Sequence, residues 1–158
     1  MAEISVLFIC SGNICRSPTA QGVFEHKVVQ AGLGERIFVD SAGTHGFHIG
    51  SRPDSRAQRA AERRGFDLSR QRSRRVEVDD FANFDYLIGM DRDNIQALRE
   101  VCPPANYDKL SLFMQFVATA DVDEVPDPYY GGTHGFERVL DLVEQASDAL
   151  LEHVRDRL

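Results

Sequence analysis

The seven residues Ile4 to Cys10 are apolar except for Ser5, and they run directly into Ser11-Gly12-Asn13 and then Ser17-Pro18. A run that is apolar on both faces must be covered on both faces, as buried parallel strands are. Serine followed by proline marks a helix start, which makes Ser17 the predicted N-cap and Pro18 the first helical position. Three further strand-length apolar runs follow: Ile37 to Ser41, Tyr86 to Met90, and Lys109 to Leu112. Helical spacing fills the gaps between them. Ala20, Val23, Phe24, Val28 and Ala31 lead to a stop at Gly32, Asp54 predicts the cap of a second helix ending near Gly65, and Asp91 to Val101 reads as a third. From Gly135 to the C-terminus, Phe136, Val139, Leu140, Val143, Leu150, Leu151 and Val154 form a core-facing stripe. The alternation predicts an α/β sandwich built on a parallel sheet.

The 158 residues, 42% hydrophobic and 27% charged, predict a single domain spanning 1–158. Eighteen Lys and Arg against 25 Asp and Glu give a net charge of −7, a poor balance for gripping a nucleic-acid backbone. The longest apolar run, Val6 to Cys10, is far short of the roughly 20 residues a membrane span requires. Glu3 stands where a secretory signal would be basic. Three cysteines, an odd number, argue for a reducing compartment and a cytoplasmic protein. Between Arg52 and Arg75 lie nine Arg against Asp54, Glu62 and Asp67, which reads first as a solvated helix face balanced by an acidic neighbour and second as a docking surface for an acidic partner. His26, His45, His48, His134 and His153 lack metal-ligand spacing, so no metal is expected.

The turn between the first strand and the first helix reads Cys10-Ser11-Gly12-Asn13-Ile14-Cys15-Arg16-Ser17. In open α/β sheets, ligands sit beyond the carboxyl ends of strands, where helix N-termini present free N–H groups to anions. A phosphate monoester needs several such donors from a tight turn, and Gly12 and Asn13 are the residue types best able to take left-handed conformations there. Arg16 adds a planar, permanently charged fork for two oxygens. A thiol acts as nucleophile in its thiolate form, and a helix N-terminus and a guanidinium both favour an anion. The groups that bind phosphate would therefore also activate Cys10. Ser17 is placed both to cap the helix and to hydrogen-bond the sulfur. Against this stands the plain reading of a buried free cysteine beside a surface arginine.

Expelling a phenolate is far easier if a carboxylic acid protonates it. Asp127 lies between Pro126 and Pro128, which bias it to an extended backbone, and Tyr129 and Tyr130 follow as an aromatic wall suited to an aryl group. The plain alternative is an acidic surface turn with half-buried tyrosines.

Together, CSGNICRSP at 10–18, SAGT at 41–44, DDFANFDYLIGMD at 79–91 and DPYYGG at 127–132 resemble the low-molecular-weight protein tyrosine phosphatases over nearly the whole chain. The resemblance implies a three-layer α/β sandwich with a four-stranded parallel sheet flanked by helices, the phosphatase loop lying between first strand and first helix. It implies no cofactor or metal, and hydrolysis of phosphotyrosine through a cysteinyl phosphate. On this resemblance Cys10 attacks phosphorus, and Arg16 with the loop Ser11, Gly12, Asn13, Ile14, Cys15, Arg16 and Ser17 binds the oxygens. Asp127 serves as acid and then base. Asn13, Ser17 and Ser41 brace the loop, while Ser11, Phe47, Tyr129 and Tyr130 line the substrate slot. The implied partner is a phosphotyrosine protein, in bacteria often a tyrosine kinase, with inorganic phosphate as product and inhibitor. Cys15 matches a position that can form a reversible disulfide with Cys10, or it is a small packing residue. Cys102, before two prolines, reads as structural.

Gln71 stands where the family often has a histidine supporting the loop asparagine, Phe47 where tryptophan or tyrosine is frequent, and Ser11 where animal members carry an aliphatic residue. These departures bear on substrate preference more than on reaction type. Three rival readings remain. Arsenate reductases share the loop but need further cysteines, and beyond Cys15 this chain has only Cys102. Phosphoarginine phosphatases carry a threonine where this loop has Ile14, whose apolar side chain favours phosphotyrosine. A binding module without turnover would lack the nucleophile or the acid.

Overall fold

The first strand, β1 (Ile4–Cys10), sends alternate side chains into two separate cores. Val6, Phe8 and Cys10 enter one, Leu7 and Ile9 the other. The computed structural model describes residues 2–129 and 132–158, with only the backbone of Thr133. Beside β1 lie β2 (Ile37–Gly43) and β3 (Tyr86–Gly89), and β4 (Leu110–Leu112) completes an all-parallel sheet in the order β2-β1-β3-β4. On one face pack α1 (Arg16–Gln30), α2 (Ser55–Arg63) and α5 (Thr133–Arg155); on the other, α3 (Val78–Asn83) and α4 (Arg92–Val101). The result is the expected three-layer sandwich with four parallel strands.

Aromatic packing anchors the larger core. Phe8 meets Phe24 of α1 edge-on at 5.6 Å and Phe113 at 5.0 Å, and all three are fully buried. Each contributes on the order of 1.5–3 kcal/mol through burial alone. On the outer side of that core, Arg63, the last residue of α2, and its C-cap Arg64 pair with Glu137, Asp141 and Glu144 of α5. That part of the arginine-rich stretch follows its first reading, a helix face balanced by an acidic neighbour.

Several boundaries differ from expectation. Ser17 is not the N-cap: α1 begins at Arg16, Cys15 is the cap residue, and Pro18 falls at the third helical position. The strand's turn closes sooner than Ser-Pro chemistry suggested, and the Ser17 hydroxyl is turned inward to the loop instead. β2 extends two residues past Ser41, to Gly43, because Cys10 and Gly43 remain in register. β3 stops at Gly89, β4 starts at Leu110, and α5 starts at Thr133. α3 and the two 3-10 turns, Pro104–Lys109 and Phe113–Phe116, are too short to leave a periodic signal.

Gly43 is required by close approach. A Cβ there would lie 2.8 Å from the Ser11 carbonyl oxygen, 3.1 Å from that of His45 and 3.2 Å from the Asn13 nitrogen, all of them backbone atoms with little freedom to yield. Gly43→Ala is expected to cost about 1–3 kcal/mol, read as a lowered urea midpoint. An unchanged midpoint would show that the turn after β1 can give way.

Candidate active site

β1 ends at Cys10 and α1 begins at Arg16, and the residues between them close into a tight loop. Of the two residues expected to take left-handed conformations, only Asn13 does, at φ 57°. Gly12 does not, and a Cβ on it would come within 3.0 Å of the His48 ring, which would have to shift. The Asn13 side chain is the hub of the loop's bracing. Its Nδ2 donates to the hydroxyls of Ser17 at 2.8 Å and Ser41 at 3.0 Å, and its Oδ1 accepts from the Arg74 backbone N–H at 3.0 Å.

Around this centre the loop is tied on every side. The Ser73 hydroxyl donates to the Gly12 carbonyl at 3.0 Å, and the backbone N–H groups of Thr44 and His45 donate to the carbonyls of Cys10 and Ser11. Ser41 donates to Gln21 Oε1 at 2.6 Å. Gln71 braces the loop one step removed: its Oε1 lies 3.4 Å from the Ser41 hydroxyl and its Nε2 donates to the Pro18 carbonyl at 2.9 Å.

The Cys10 sulfur, buried at the floor of the cleft, lies 3.0 Å from the Ser17 hydroxyl. That hydroxyl oxygen accepts from Asn13, and its single hydrogen has the sulfur at 3.0 Å and the more distant Ala42 carbonyl at 3.5 Å as acceptors. The Arg16 side chain is 3% exposed, and its Nη1 donates to Asp91 Oδ2 at 2.6 Å and to the Val125 carbonyl at 3.0 Å. Burial acts against its charge, but Cys10, the Asp91 hydrogen bond and Asp127 outweigh burial, so the guanidinium is held more firmly protonated than an exposed arginine.

Asp127, half exposed, places Oδ2 3.8 Å from Arg16 Nη2 and accepts at Oδ1 from the Tyr129 backbone N–H at 3.0 Å. Cys10, Arg16 and Asp127 thus line one cleft of about 140 Å³, together with Ser11, Gly12, Ile14, Cys15, Phe47, His48 and Tyr129. Phe47 is 79% exposed and stacks on His45 at 5.2 Å, forming one lip, while half-buried Tyr129 forms the other. Tyr130 lies outside the described residues. Asn13, Ser17 and Ser41 stand behind the loop, not in the cleft.

Both cysteines of the loop are free thiols. Burial, then nearby Asp54 and Cys10, push the Cys15 thiol well above its ordinary value, and it packs within the larger core. Cys102 is free and buried. Among the described residues no group of three His, Cys, Asp or Glu is placed to hold a metal ion, and no helix is long and apolar enough to cross a membrane.

Sequence reading missed Asp91, Ser73 and Arg74. Asp91 was absorbed into a helix start, and it does cap α4, accepting at Oδ1 from the Asn94 N–H at 2.8 Å. Its second oxygen is the counter-ion of Arg16. One carboxylate therefore joins α4 to the loop. Asp91→Asn keeps the cap but removes that charge, and is expected to lower stability by about 1–3 kcal/mol. Saturating phosphate should recover more stability in the variant than in the wild type, since a bound oxyanion would re-pair the guanidinium. Equal phosphate-induced shifts in melting temperature would contradict this pairing.

A family model for the low molecular weight phosphotyrosine protein phosphatases matches residues 5–158. A low molecular weight protein-tyrosine-phosphatase of Streptomyces coelicolor is 41% identical, covering 97% of this chain and 94% of its own. The crystal structure of a protein tyrosine phosphatase from Entamoeba histolytica superposes with a TM-score of 0.94 at 40% identity, covering 97% of each chain. An arginine phosphatase from Drosophila superposes with a TM-score of 0.88 at 29% identity, covering 95% of this chain and 97% of its own. On sequence and fold alike, the chain belongs to the low molecular weight phosphotyrosine protein phosphatase family.

Proposed function

We propose that the protein hydrolyses phosphotyrosine on protein substrates in two steps, with Cys10 as nucleophile. The observation that carries this reading is the convergence of a thiol, a buried guanidinium and a carboxyl group on one small cleft. In the first step the Cys10 sulfur attacks phosphorus and the bond to the phenolic oxygen breaks. Arg16 and the loop N–H groups take the equatorial oxygens, and their charge is already fixed in place before the reaction begins. Asp127 gives its proton to the departing oxygen. In the second step Asp127 accepts a proton from water as that water attacks phosphorus, the sulfur leaves, and inorganic phosphate is released. The Ser17 hydroxyl, 3.0 Å away, donates to the sulfur whenever it carries negative charge.

Substrate class follows from the lips of the cleft. Phe47 and Tyr129 offer two rings to an aryl group, and Ser11 lines the same cleft. The relatives named as tyrosine phosphatases support the same class. The likeness to an arginine phosphatase raises phosphoarginine as a second substrate class. Ile14 argues against it: a side chain buried at the cleft's floor with no polar atom discriminates poorly in favour of a guanidinium-linked phosphate. Because the loop that binds substrate would also bind the product, phosphate should inhibit competitively. A reducing cytoplasm suits the thiol nucleophile, and a tyrosine kinase fits the class of protein substrate.

Steady-state hydrolysis of a phosphotyrosine peptide and a phosphoarginine peptide, measured side by side, tests the reading. Phosphotyrosine turnover should dominate and vanish in Cys10→Ser, which should still bind phosphate, whereas Arg16→Ala should lose both. Dominant phosphoarginine turnover, or appreciable turnover by Cys10→Ser, would overturn it. Asp127→Ala should slow aryl phosphates roughly 100-fold, and less so when the leaving group is good. An equal loss for all leaving groups would remove Asp127 from the acid's role.

A further inference from the structure

The segment that carries Asp127 is poor in backbone donors, because Pro126 and Pro128 have no N–H. It is held instead largely through its carbonyl groups, at both ends, by arginines. At the near end the Val125 carbonyl accepts from Arg16 Nη1 at 3.0 Å, and the Val125 N–H donates to the Met90 carbonyl at 2.8 Å. At the far end the Tyr129 carbonyl accepts from Arg56 Nη2 at 3.0 Å, and the Arg56 guanidinium lies 5.4 Å from the centre of the Tyr129 ring and 4.8 Å from that of Phe136.

Arg56 is itself fixed. Asp54, the cap of α2, accepts from the Arg56 backbone N–H at 2.8 Å and holds its guanidinium with both oxygens, at 3.1 Å from Nε and 2.9 Å from Nη2. The Asp54 backbone N–H then donates to the carbonyl of Ile14 at 2.7 Å. A continuous bonded path therefore runs from Ile14 in the phosphate loop through Asp54 and Arg56 to Tyr129, whose own N–H donates to Asp127 Oδ1. Proton transfer depends on the distance between the carboxyl and the leaving oxygen, and a displacement near 1 Å can cost orders of magnitude.

We infer that Arg56 is a positioning residue for proton transfer: it sets where Asp127 stands relative to the phosphate loop. It is not among the residues lining the cleft, and its effect passes through Tyr129. The inference rests on the reading of Asp127 as the acid. Lysine cannot substitute, since one ammonium group does not reproduce a planar fork that meets Asp54 and the Tyr129 carbonyl together.

The test is kcat/KM for a series of aryl phosphates whose phenols span pKa values of about 7 to about 10, measured for the wild type, Asp127→Ala, Arg56→Lys and the double variant. Thermal melting checks that each is folded, and Arg56→Gln supplies a second substitution at the position. Arg56→Lys should lose about tenfold on the poorest leaving groups and less than about twofold on the best, and should add no further leaving-group dependence on the Asp127→Ala background. A steep Asp127→Ala profile beside a flat loss for both Arg56 variants would overturn this inference alone. A flat profile for Asp127→Ala would overturn the assignment of the acid, and the inference with it.

Discussion

The left-handed turn at Asn13 is the constraint on which the site depends. Only if the chain reverses there do the last residue of β1 and the first of α1 face the same cleft. A non-glycine residue pays on the order of 1–2 kcal/mol for that conformation. Three side-chain hydrogen bonds, to Ser17, Ser41 and the Arg74 backbone, contribute about 0.5–1.5 kcal/mol each and outweigh it. Glycine could take the turn more easily but would supply none of them. Asparagine thus serves as both hinge and brace, and Gly43 leaves the backbone space into which the loop folds.

The same economy governs charge. A buried guanidinium is costly unless it is paired, and Arg16 is paired with Asp91 on one side while its other nitrogen faces the cleft and Asp127. This leaves a fixed positive charge where a dianion would bind, without a surface arginine's need to be ordered first. Elsewhere the arginines matter less. The pairs between α2 and α5 lie at or near the surface, where each contributes about 0–1 kcal/mol. Arg74 and Arg56 are exceptions: the Arg74 side chain spans Asp40 and Asp80 while its backbone holds Asn13, and Arg56 joins Asp54 to the Tyr129 carbonyl.

What could be read from the sequence was local and periodic. The strands were legible because β1 and β3 are largely buried and apolar and β2 opens with the apolar run Ile37 to Val39, and the long stripe of α5 left no doubt of a core-facing helix. The position of Cys10 and Arg16 across a strand-to-helix turn was legible because the turn's residue types are distinctive. Ser17 misled because serine before proline fits a cap, whereas its hydroxyl is engaged by Cys10 and Asn13 of the same loop and the residue lies inside the helix. Asp91 and Arg56 were illegible for a related reason. Each also satisfies a local role, as a helix cap or as the partner of a cap, and only folding reveals the second bond to Arg16 or to the Tyr129 carbonyl. Ser73 and Arg74 were hidden in an arginine-rich run whose charge drew attention from its backbone.

The central claim is that a covalent bond forms between Cys10 and phosphorus. Rapid acid quenching during turnover of an aryl phosphate, followed by mass spectrometry of the peptide containing residues 10–16, tests it most directly. The account predicts phosphate on Cys10, accumulating further when Asp127→Ala slows hydrolysis of the intermediate and a good leaving group keeps the first step fast. Turnover with no phosphorylated Cys10 at any quench time, in the wild type or in that variant, would contradict it.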